Sequence, residues 1–212
     1  MCDIAIFGAS GLGREVACTI QSINKVKPTW NLLGFFDDGF EEGVNVQYGK
    51  ILGSMEHLNR WKTPLCVCFA IGNPKVLRNL VGKVTNPQVD FPNIIAPNVL
   101  FLDEKSVIMG KGNLICANSL VSCNVKIGNF NLLNVYSHLG HESTLGNFNV
   151  IMPDSSISGG VVAGDANLFG AKSVVLQYKK IGNEVVLAPG SVLSRTAKDG
   201  RTYMGNPAKL FM

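Results

Sequence analysis

An apolar residue occupies every sixth position from Met109 to Leu193 without a break. The residue that follows is often glycine, and small or β-branched residues recur four positions on. A period of six residues fits neither an α-helix nor an alternating strand. It is typical of a parallel β-helix, in which each coil buries its apolar residues on neighbouring coils. The repeated positions are Met109, Ile115, Val121, Ile127, Leu133, Leu139, Leu145, Ile151, Ile157, Ala163, Phe169, Val175, Ile181, Leu187 and Leu193.

The corners of such coils need tight turns, some with positive φ, which glycine and asparagine adopt at low cost. Asparagines are frequent in the repeat, and we expect them to occupy these corners. They are Asn113, Asn118, Asn124, Asn129, Asn131, Asn147, Asn149, Asn167 and Asn183. The repeat loosens after Ser194, and we expect residues 202–212 to form a tail.

The residues ahead of the repeat alternate short apolar runs with amphipathic stretches, as in an α/β unit with a parallel sheet. The pattern predicts a Rossmann-like domain over residues 1–90, too short for a complete dinucleotide fold, and an all-β parallel helix domain over residues 91–212. Residues 91–97 link the two. We expect strands at 3–7, 31–36, 49–52 and 65–71, and helices from the first glycine turn to about Ile23, from Ser54 to Trp61, and from Pro74 to about Val84.

Glycine-rich turns follow the first and fourth of these strands, at the edge where open α/β sheets bind ligands. The first runs Gly8-Ala9-Ser10-Gly11-Leu12-Gly13, and the second contains Gly72 and Asn73. Glycine lets the backbone approach a phosphate, which a helix N-terminus favours. We therefore expect substrate to contact Ser10, Gly11, Leu12, Gly13, Gly72 and Asn73. The spacing differs from that of dinucleotide binders, and any tight strand–helix junction also needs glycine.

Asp37 and Asp38 end the second strand. At this edge their carboxylates could accept hydrogen bonds from a ribose or a base, which makes them further candidates for substrate binding. The alternative is a solvated turn.

Composition narrows the functional classes. Hydrophobic residues make up 46% of the chain and charged residues 16%, with a net charge of +4 and no basic run, so nucleic acid is not indicated. The chain opens directly in a strand-like run, and we expect neither a signal peptide nor a membrane span. The six cysteines lack CxxC spacing. We expect reduced thiols in the cytoplasm and no metal site.

Only three histidines are available for acid–base chemistry. His57 lies in an expected helix, and His138 and His141 lie in the repeat. His141 is two positions beyond Leu139, which places it off the packed interior, where it is either a surface residue or a functional one. Glu142 beside it could raise the basicity of the imidazole and fix its tautomer.

These features together resemble the bacterial sugar O- and N-acyltransferases of the hexapeptide-repeat superfamily, the sialic acid O-acetyltransferase-like and UDP-4-amino-sugar N-acetyltransferase-like proteins. The resemblance covers essentially the whole chain, including Gly205 to Lys209. It implies a left-handed β-helix, a homotrimer, and acetyl-CoA in a groove between adjacent prisms. It also implies that His141 is the general base, that Glu142 tunes it, and that Asn134 positions substrate.

The resemblance further implies cofactor contacts at Gly159, Ala171, Ala188, Pro207 and Lys209. Three positions depart from the family pattern. Leu12 replaces a common histidine of the glycine turn, Val150 a second active-site histidine, and Asp154 a usual glycine. These changes leave the base in place and the identity of the acceptor open.

We predict transfer of an acetyl group from acetyl-CoA to the amine of a UDP-linked amino sugar. O-acetylation of a sugar hydroxyl, as in sialic acid, is the first alternative, because one histidine does not distinguish an amine from a hydroxyl. A γ-type carbonic anhydrase would need a third zinc-binding histidine in the repeat, which is missing. A non-catalytic trimeric regulator or scaffold is the remaining alternative.

Overall fold

The N-terminal part of the computed structural model, which describes residues 1–211, is a six-stranded sheet flanked by helices. Its elements are β1 (Cys2–Phe7), α1 (Gly11–Val26), β2 (Trp30–Phe36), β3 (Asn45–Val46), β4 (Gly49–Gly53), α2 (Met55–Asn59), β5 (Leu65–Phe69), α3 (Pro74–Gly82) and β6 (Val89–Asp90). The strand order is β3–β4–β2–β1–β5–β6, with all neighbours parallel except the β3–β4 hairpin. This is the predicted Rossmann-like arrangement, with two further strands, β3 and β6, at its edges that were not predicted.

Local sequence signals explain how these helices begin. Ser54 and His57 form a capping box at the start of α2. Asn73 caps α3 by accepting hydrogen bonds from two backbone amides, and Pro74 stands in its first turn. The helix α1 runs to Val26, beyond the expected end, because no glycine or proline interrupts its last turn.

The C-terminal part is a parallel β-helix with three faces, and each coil advances eighteen residues. Face 1 contains β7 (Ile94–Ile95), β10 (Leu114–Ile115), β13 (Leu132–Leu133), β16 (Val150–Ile151), β19 (Leu168–Phe169) and β22 (Val186–Leu187). Face 2 contains β8 (Leu100–Phe101), β11 (Leu120–Val121), β14 (His138–Leu139), β17 (Ser156–Ile157), β20 (Val174–Val175) and β23 (Val192–Leu193). Face 3 contains β9 (Ile108–Met109), β12 (Lys126–Ile127), β15 (Thr144–Leu145), β18 (Val162–Ala163) and β21 (Lys180–Ile181).

The second residue of each short strand points inward, and these residues form the predicted apolar core. The coils begin earlier than the hexad pattern indicates, since Ile94 and Leu100 already pair with the second coil. A short 3₁₀ helix, Glu104–Ser106, interrupts the first coil. It separates Phe101 from Met109 by more than six residues, so a search for a fixed six-residue period does not detect the first coil.

The expectation that asparagines fill the corners holds for five of the nine, Asn118, Asn124, Asn129, Asn147 and Asn183, and is wrong for the other four. Only Asn118 and Asn124 of that set have positive φ. The left-handed residue of a corner commonly donates its N–H to a carbonyl of the preceding coil, as from Glu142 to the Cys123 carbonyl at 3.0 Å, so stacking holds the turn whatever the residue. Left-handed corner residues include Phe130, Tyr136, Glu142, Phe148, Asp154, Ala166, Lys172, Tyr178 and Glu184.

The remaining asparagines form two ladders along the prism. In the buried ladder each side-chain oxygen accepts from the backbone and side-chain amides of the next member, and the last oxygen accepts from the Val185 amide. Its fully buried members are Asn113, Asn131, Asn149 and Asn167. The outer ladder contains Asn129, Asn147, Asp165, Asn183 and Asp199. An amide supplies both a donor and an acceptor, which suits a stack of identical coils.

Residues 202–211 are part of the sheet and do not form a free tail. Strand β24 (Thr202–Gly205) pairs in parallel with β22 and turns into the antiparallel β25 (Ala208–Leu210). Met212 lies outside the described residues. Tyr203 and Ala208 are buried in the core, so this hairpin closes the end of the prism.

The α/β domain packs on face 1. The outward residues Leu114, Leu132 and Val150 are buried in one cluster with α1 and β1. Phe91, Phe130 and Phe148 make a second contact at the corner between faces 3 and 1. Because the prism is triangular, the corner between faces 2 and 3 lies opposite the α/β domain of the same chain.

No helix within residues 1–211 is both long enough and apolar enough to span a bilayer.

Candidate active site

His141 and Glu142 lie at the corner between faces 2 and 3, called corner 2/3 (residues 123–124, 141–142, 159–160 and 177–178). The His141 Nδ1 is 3.2 Å from a Glu142 carboxylate oxygen, and both side chains are at least half exposed. Because a carboxylate only accepts, this contact assigns the ring hydrogen to Nδ1 and leaves Nε2 as the basic nitrogen. Glu142 holds this position with a φ of 58°.

The imidazole leans over Gly159, one coil further along. A Cβ at Gly159 would lie 2.5 Å from Nε2 and 2.6 Å from Cε1 of His141, so a side chain there would displace the ring. Gly159 is buried, and within residues 1–211 its backbone N–H donates no hydrogen bond. A basic nitrogen and a free amide thus occur together on this corner.

His138 has a different environment on the outer surface of face 2. Its Nδ1 is 3.1 Å from the Ser156 hydroxyl, and partial burial lowers the pKa of His138 below the ordinary histidine value. A base within a flat face, with its ring tied to a neighbouring strand, is less accessible than His141.

The structure does not bring the other sequence-predicted residues to His141 within one chain. Asn134 is buried at the corner between faces 1 and 2, called corner 1/2 (residues 117–118, 135–136, 153–154, 171–172 and 189–190), where its side chain accepts from the Val135 amide. The predicted cofactor residues Ala171 and Ala188 also lie on that side, and Pro207 and Lys209 lie in the terminal hairpin. Face 2 separates these residues from Gly159 and His141.

The glycines of the nucleotide-binding turn divide into two kinds. A Cβ at Gly13 would collide with the Gly8 carbonyl, and Gly8 has a φ of 109° and no room for a Cβ. Gly13 is required by the close packing of α1 on the end of β1, and Gly8 by its positive φ and by the Ala70 carbonyl, 2.8 Å from the position of a Cβ. A Cβ at Gly11 would meet only Arg14, at 4.0 Å, and one at Gly72 would meet nothing within 4 Å. Neither residue has a positive φ. Neither packing nor backbone conformation therefore requires glycine at these two positions.

The other predicted substrate residues largely serve the fold. Asp37 accepts from the Ala9 and Gly39 amides, Asp38 caps α2 through the Met55 amide, and Asn73 caps α3. Each has a clear structural use at the sheet edge. Ser10 stands at the N-cap of α1 without a side-chain capping bond.

Two departures from the family pattern have packing explanations. Leu12 packs against the cluster between the domains, and Val150 is fully buried in that cluster. The third, Asp154, is an exposed corner residue with a φ of 59°, a conformation in which glycine would be unstrained.

A cavity of about 880 Å³, which the sequence does not reveal, lies between α1 and corner 1/2. Its walls come from three elements: the exposed side of α1 from Gly11 to Val26, the tip of the β3–β4 hairpin, and the first three coils. The residues that line it are scattered from Gly11 to Val135 and share no motif. Within residues 1–211 no group of three or more histidine, cysteine or acidic side chains could hold a metal ion.

Residues 3–84 match a family model described as the PglD N-terminal domain. A search of curated proteins found no match. The acetyltransferase domain of PglB from Neisseria gonorrhoeae is 24% identical over 100% of both chains, with a TM-score of 0.90. Its complex with acetyl coenzyme A gives 25% identity over 99% of this chain and 98% of that one, with a TM-score of 0.88.

WeeI from Acinetobacter baumannii is 26% identical over 100% of both chains, with a TM-score of 0.88. PerB from Caulobacter crescentus, solved with CoA and GDP-perosamine, is 21% identical over 100% of this chain and 98% of that one, with a TM-score of 0.90. The left-handed β-helix and the acyltransferase class expected from the resemblance are thereby confirmed. Residues 3–84 thus match the PglD N-terminal domain family, and the whole chain is similar to the PglB acetyltransferase domain solved with acetyl coenzyme A and to WeeI.

Proposed function

We propose that this chain transfers an acetyl group from acetyl-CoA to the amino group of a nucleotide-linked amino sugar, with His141 as the general base. The pairing of His141 with Glu142, above the free amide of Gly159, carries the proposal. The acceptor nitrogen attacks the thioester carbonyl and passes a proton to Nε2 of His141. The Gly159 N–H would stabilise the oxyanion that develops. The C–S bond then breaks, and the coenzyme A sulfur leaves as the thiol after it takes up a proton.

The acyl donor is supported by the PglB domain solved with acetyl coenzyme A, to which this chain is similar along nearly its whole length. The backbones of Ala171 and Ala188, with Pro207 and Lys209 at the end of the prism, would hold it, as the family resemblance implies. Lys209 is exposed and offers a positive charge to the phosphates of coenzyme A.

We propose a homotrimer because the parts of the site lie on different sides of one chain. His141 and Gly159 are on corner 2/3, opposite the α/β domain, whereas Asn134 and the glycine turn are on the other side of face 2. A second copy that presented corner 1/2 to corner 2/3 would complete the site.

Subunit mixing tests this arrangement. His141→Ala and Asn134→Ala homotrimers should each be nearly inactive, and subunit exchange between them should restore part of the wild-type turnover. No recovery in a proven mixed trimer would contradict a site shared in this way, as would a monomer in sedimentation that retains full activity.

Two observations support a nucleotide-linked acceptor. Packing does not require glycine at Gly11 or Gly72, and a cavity adjoins Gly11. PerB, of the same fold, was solved with an amino-sugar nucleotide. The experiment is a screen of UDP-, GDP- and dTDP-linked amino sugars and free sialic acid with acetyl-CoA, followed by thiol release. Turnover of sialic acid alone would assign O-acetylation. If no acceptor is acetylated, whether or not acetyl-CoA binds, the proposed enzyme activity is wrong and a regulatory role is favoured.

A further inference from the structure

The outer surface of face 2 is largely apolar. The first residue of each of its strands points outward, and within the described residues none of these is lysine, arginine or an acid. Face 3, by contrast, exposes Lys126 and Lys180, and the α/β domain covers face 1. An uncharged apolar face suits contact with another protein surface. The outward residues of face 2 are Leu100, Leu120, His138, Ser156, Val174 and Val192.

In the proposed homotrimer, face 2 is directed toward the threefold axis. Each copy presents corner 2/3 to one neighbour and corner 1/2 to the other, and face 2 is the face between those corners. The reverse orientation would place the α/β domain, which packs on face 1 and on the corner between faces 3 and 1, at the axis. Copies related by rotation alone hold each residue at one height, so the outward residues of the three faces form rings around the axis.

The dimensions of the prism bring the centre of face 2 close to this axis. A side of six residues measures about 16–20 Å at the rise of a strand, so the centre of a triangle of three such sides lies about 5–6 Å from each side. That distance is comparable to the length of a histidine side chain. His138 stands on the third of the six strands and points outward into this space. Three imidazoles, one from each copy, therefore meet near the axis.

The imidazole of His138 is arranged as a metal ligand. Its Nδ1 lies 3.1 Å from the Ser156 hydroxyl, whereas Nε2 has no hydrogen-bond partner within residues 1–211 and reaches solvent. A histidine that binds a metal through one nitrogen commonly donates from the other, which fixes the ring and its tautomer. Partial burial lowers the pKa of His138, and the neutral ring is the form that binds a metal.

Burial of this ring on the axis requires a partner for Nε2. Leu120 and Val174 lie on either side of the pair formed by His138 and Ser156, so contact between the three faces excludes water. A polar atom buried without a partner costs free energy. Three neutral nitrogens do not satisfy one another when each presents a lone pair, whereas one cation between them satisfies all three.

We infer that the three His138 side chains of the homotrimer bind one Zn²⁺ ion on the threefold axis through their Nε2 atoms. The inference rests on the proposed function, because the trimer that completes the active site also completes this site. Three histidines are a known ligand set for zinc, with the fourth position left to water or an anion. One chain supplies a single ligand, so the site exists only in the assembly. The ion joins the subunits and takes no part in the acetyl transfer.

Metal titration of the untagged full chain, after treatment with a chelator, tests the inference. Calorimetry should give one Zn²⁺ per three chains. Sedimentation should show that Zn²⁺ lowers the protein concentration at which the trimer dissociates, because the ion binds only the assembly. A proven trimer that binds no Zn²⁺, or that binds it only at three or more separate surface sites, would overturn the inference.

Variants of the histidines locate the bound ion. His138→Ala should abolish the single site, and His141→Ala, which removes the other histidine of the repeat, should retain it. Ser156→Ala should weaken Zn²⁺ binding about 10- to 100-fold, the usual effect of removing the partner of a metal-binding histidine. If His138→Ala dissociates, His138→Leu keeps the face apolar and should remain trimeric without metal. Equal Zn²⁺ binding by the wild type and both His138 variants would contradict the inference.

The two proposals fail in different ways. If one Zn²⁺ binds per trimer but no amino sugar is acetylated, the proposed reaction is wrong and the metal site stands. If a proven trimer acetylates an amino sugar and binds no Zn²⁺, the proposed reaction stands and the metal site is wrong. A chain that stays monomeric at every concentration contradicts both the shared active site and the metal site.

Discussion

The α/β domain and the β-helix obtain tight turns in different ways. In the α/β domain a turn occurs once, and Gly8 and Gly13 are required because a side chain would strike the backbone. In the β-helix the corner recurs in every coil, and the coil beneath holds it in place. Corners with positive φ therefore accept Tyr136, Glu142 and Tyr178. A repeated fold can thus place a functional side chain on a corner with positive φ. In the single glycine turn of the α/β domain, only the glycines that packing does not require are available to bind a ligand.

The two parts also differ in the polar groups that they bury. Buried polar side chains of the α/β domain are limited, in residues 1–90, to Asn86, which bonds the Leu58 and Trp61 carbonyls. The β-helix buries a continuous asparagine ladder and a series of serines. Coils of equal length keep each donor opposite its acceptor, so polar burial is satisfied by repetition.

The largest expected effect comes from replacing His141, which tests whether a corner of the β-helix carries the catalytic base. His141→Ala should lower kcat/KM by about two to four orders of magnitude, the usual contribution of a general base. Its melting temperature should not change, since the ring lies outside the core. Steady-state kinetics and thermal unfolding measure both. His138→Ala is the control in the neighbouring strand and should retain most activity; a reversed ranking of the two variants would refute the assignment.

Substitution of Glu142 extends this test, because the residue has a positive φ as well as a carboxylate beside His141. Glu142→Gly should raise the melting temperature and lower kcat/KM by less than His141→Ala, since the base remains but loses its partner. Glu142→Gln is the control that removes the carboxylate and keeps a side chain in the positive-φ conformation, so it should lower kcat/KM without raising the melting temperature. Full activity in both variants would leave Glu142 without a role in tuning His141.

The buried ladder provides the next largest effect. Asn149→Ala removes the oxygen that accepts from the backbone and side-chain amides of Asn167. Each orphaned buried donor costs about 1–3 kcal/mol, so we expect a loss of about 2–6 kcal/mol in unfolding free energy. Asn183→Ala in the exposed outer ladder should cost less than about 1 kcal/mol, because water replaces the amide. Similar losses from chemical denaturation of both variants would disprove the distinction.

The two kinds of glycine in the α/β domain predict opposite outcomes for one substitution. Gly13→Val should destabilise the domain by at least about 1–3 kcal/mol through overpacking against Gly8. Gly11→Val should fold normally, raise the acceptor KM and leave acetyl-CoA affinity nearly unchanged. Thermal unfolding and separate KM values for the two substrates decide this. Equal loss of both affinities in Gly11→Val would mean that the glycine turn does not serve the acceptor alone.

The smallest expected effect concerns an exception inside the prism. Within residues 1–211, the Ser143 hydroxyl is the one fully buried side-chain polar atom without a hydrogen-bond partner. Ser143→Ala should stabilise the protein by about 1 kcal/mol, because the orphaned hydroxyl is removed. Ser155→Ala is the matched control at the same hexad position, where the hydroxyl donates to the Gly170 carbonyl at 2.7 Å, and it should be destabilising. A loss of stability in both variants would show that Ser143 finds a partner in solution.

The hexad positions, the four inner strands and three helices of the α/β domain, and the position of His141 off the core could all be predicted from the sequence, since each depends on local period or spacing. The first coil could not, because an insertion after Phe101 breaks the period. The asparagines of the buried ladder could not be told from corner residues either, because asparagine suits both positions and only the stacking of distant coils selects between them.

The sequence by itself determined a β-helix behind a glycine-turn domain and presented His141 beside Glu142, because period, turn residues and neighbouring charges are local properties. Tertiary structure alone decided that the α/β domain covers face 1, that Asn134 and His141 lie on different corners, and that a cavity opens beside α1. These features bring together residues that are far apart in the chain, and they depend on packing between elements, which no local pattern specifies.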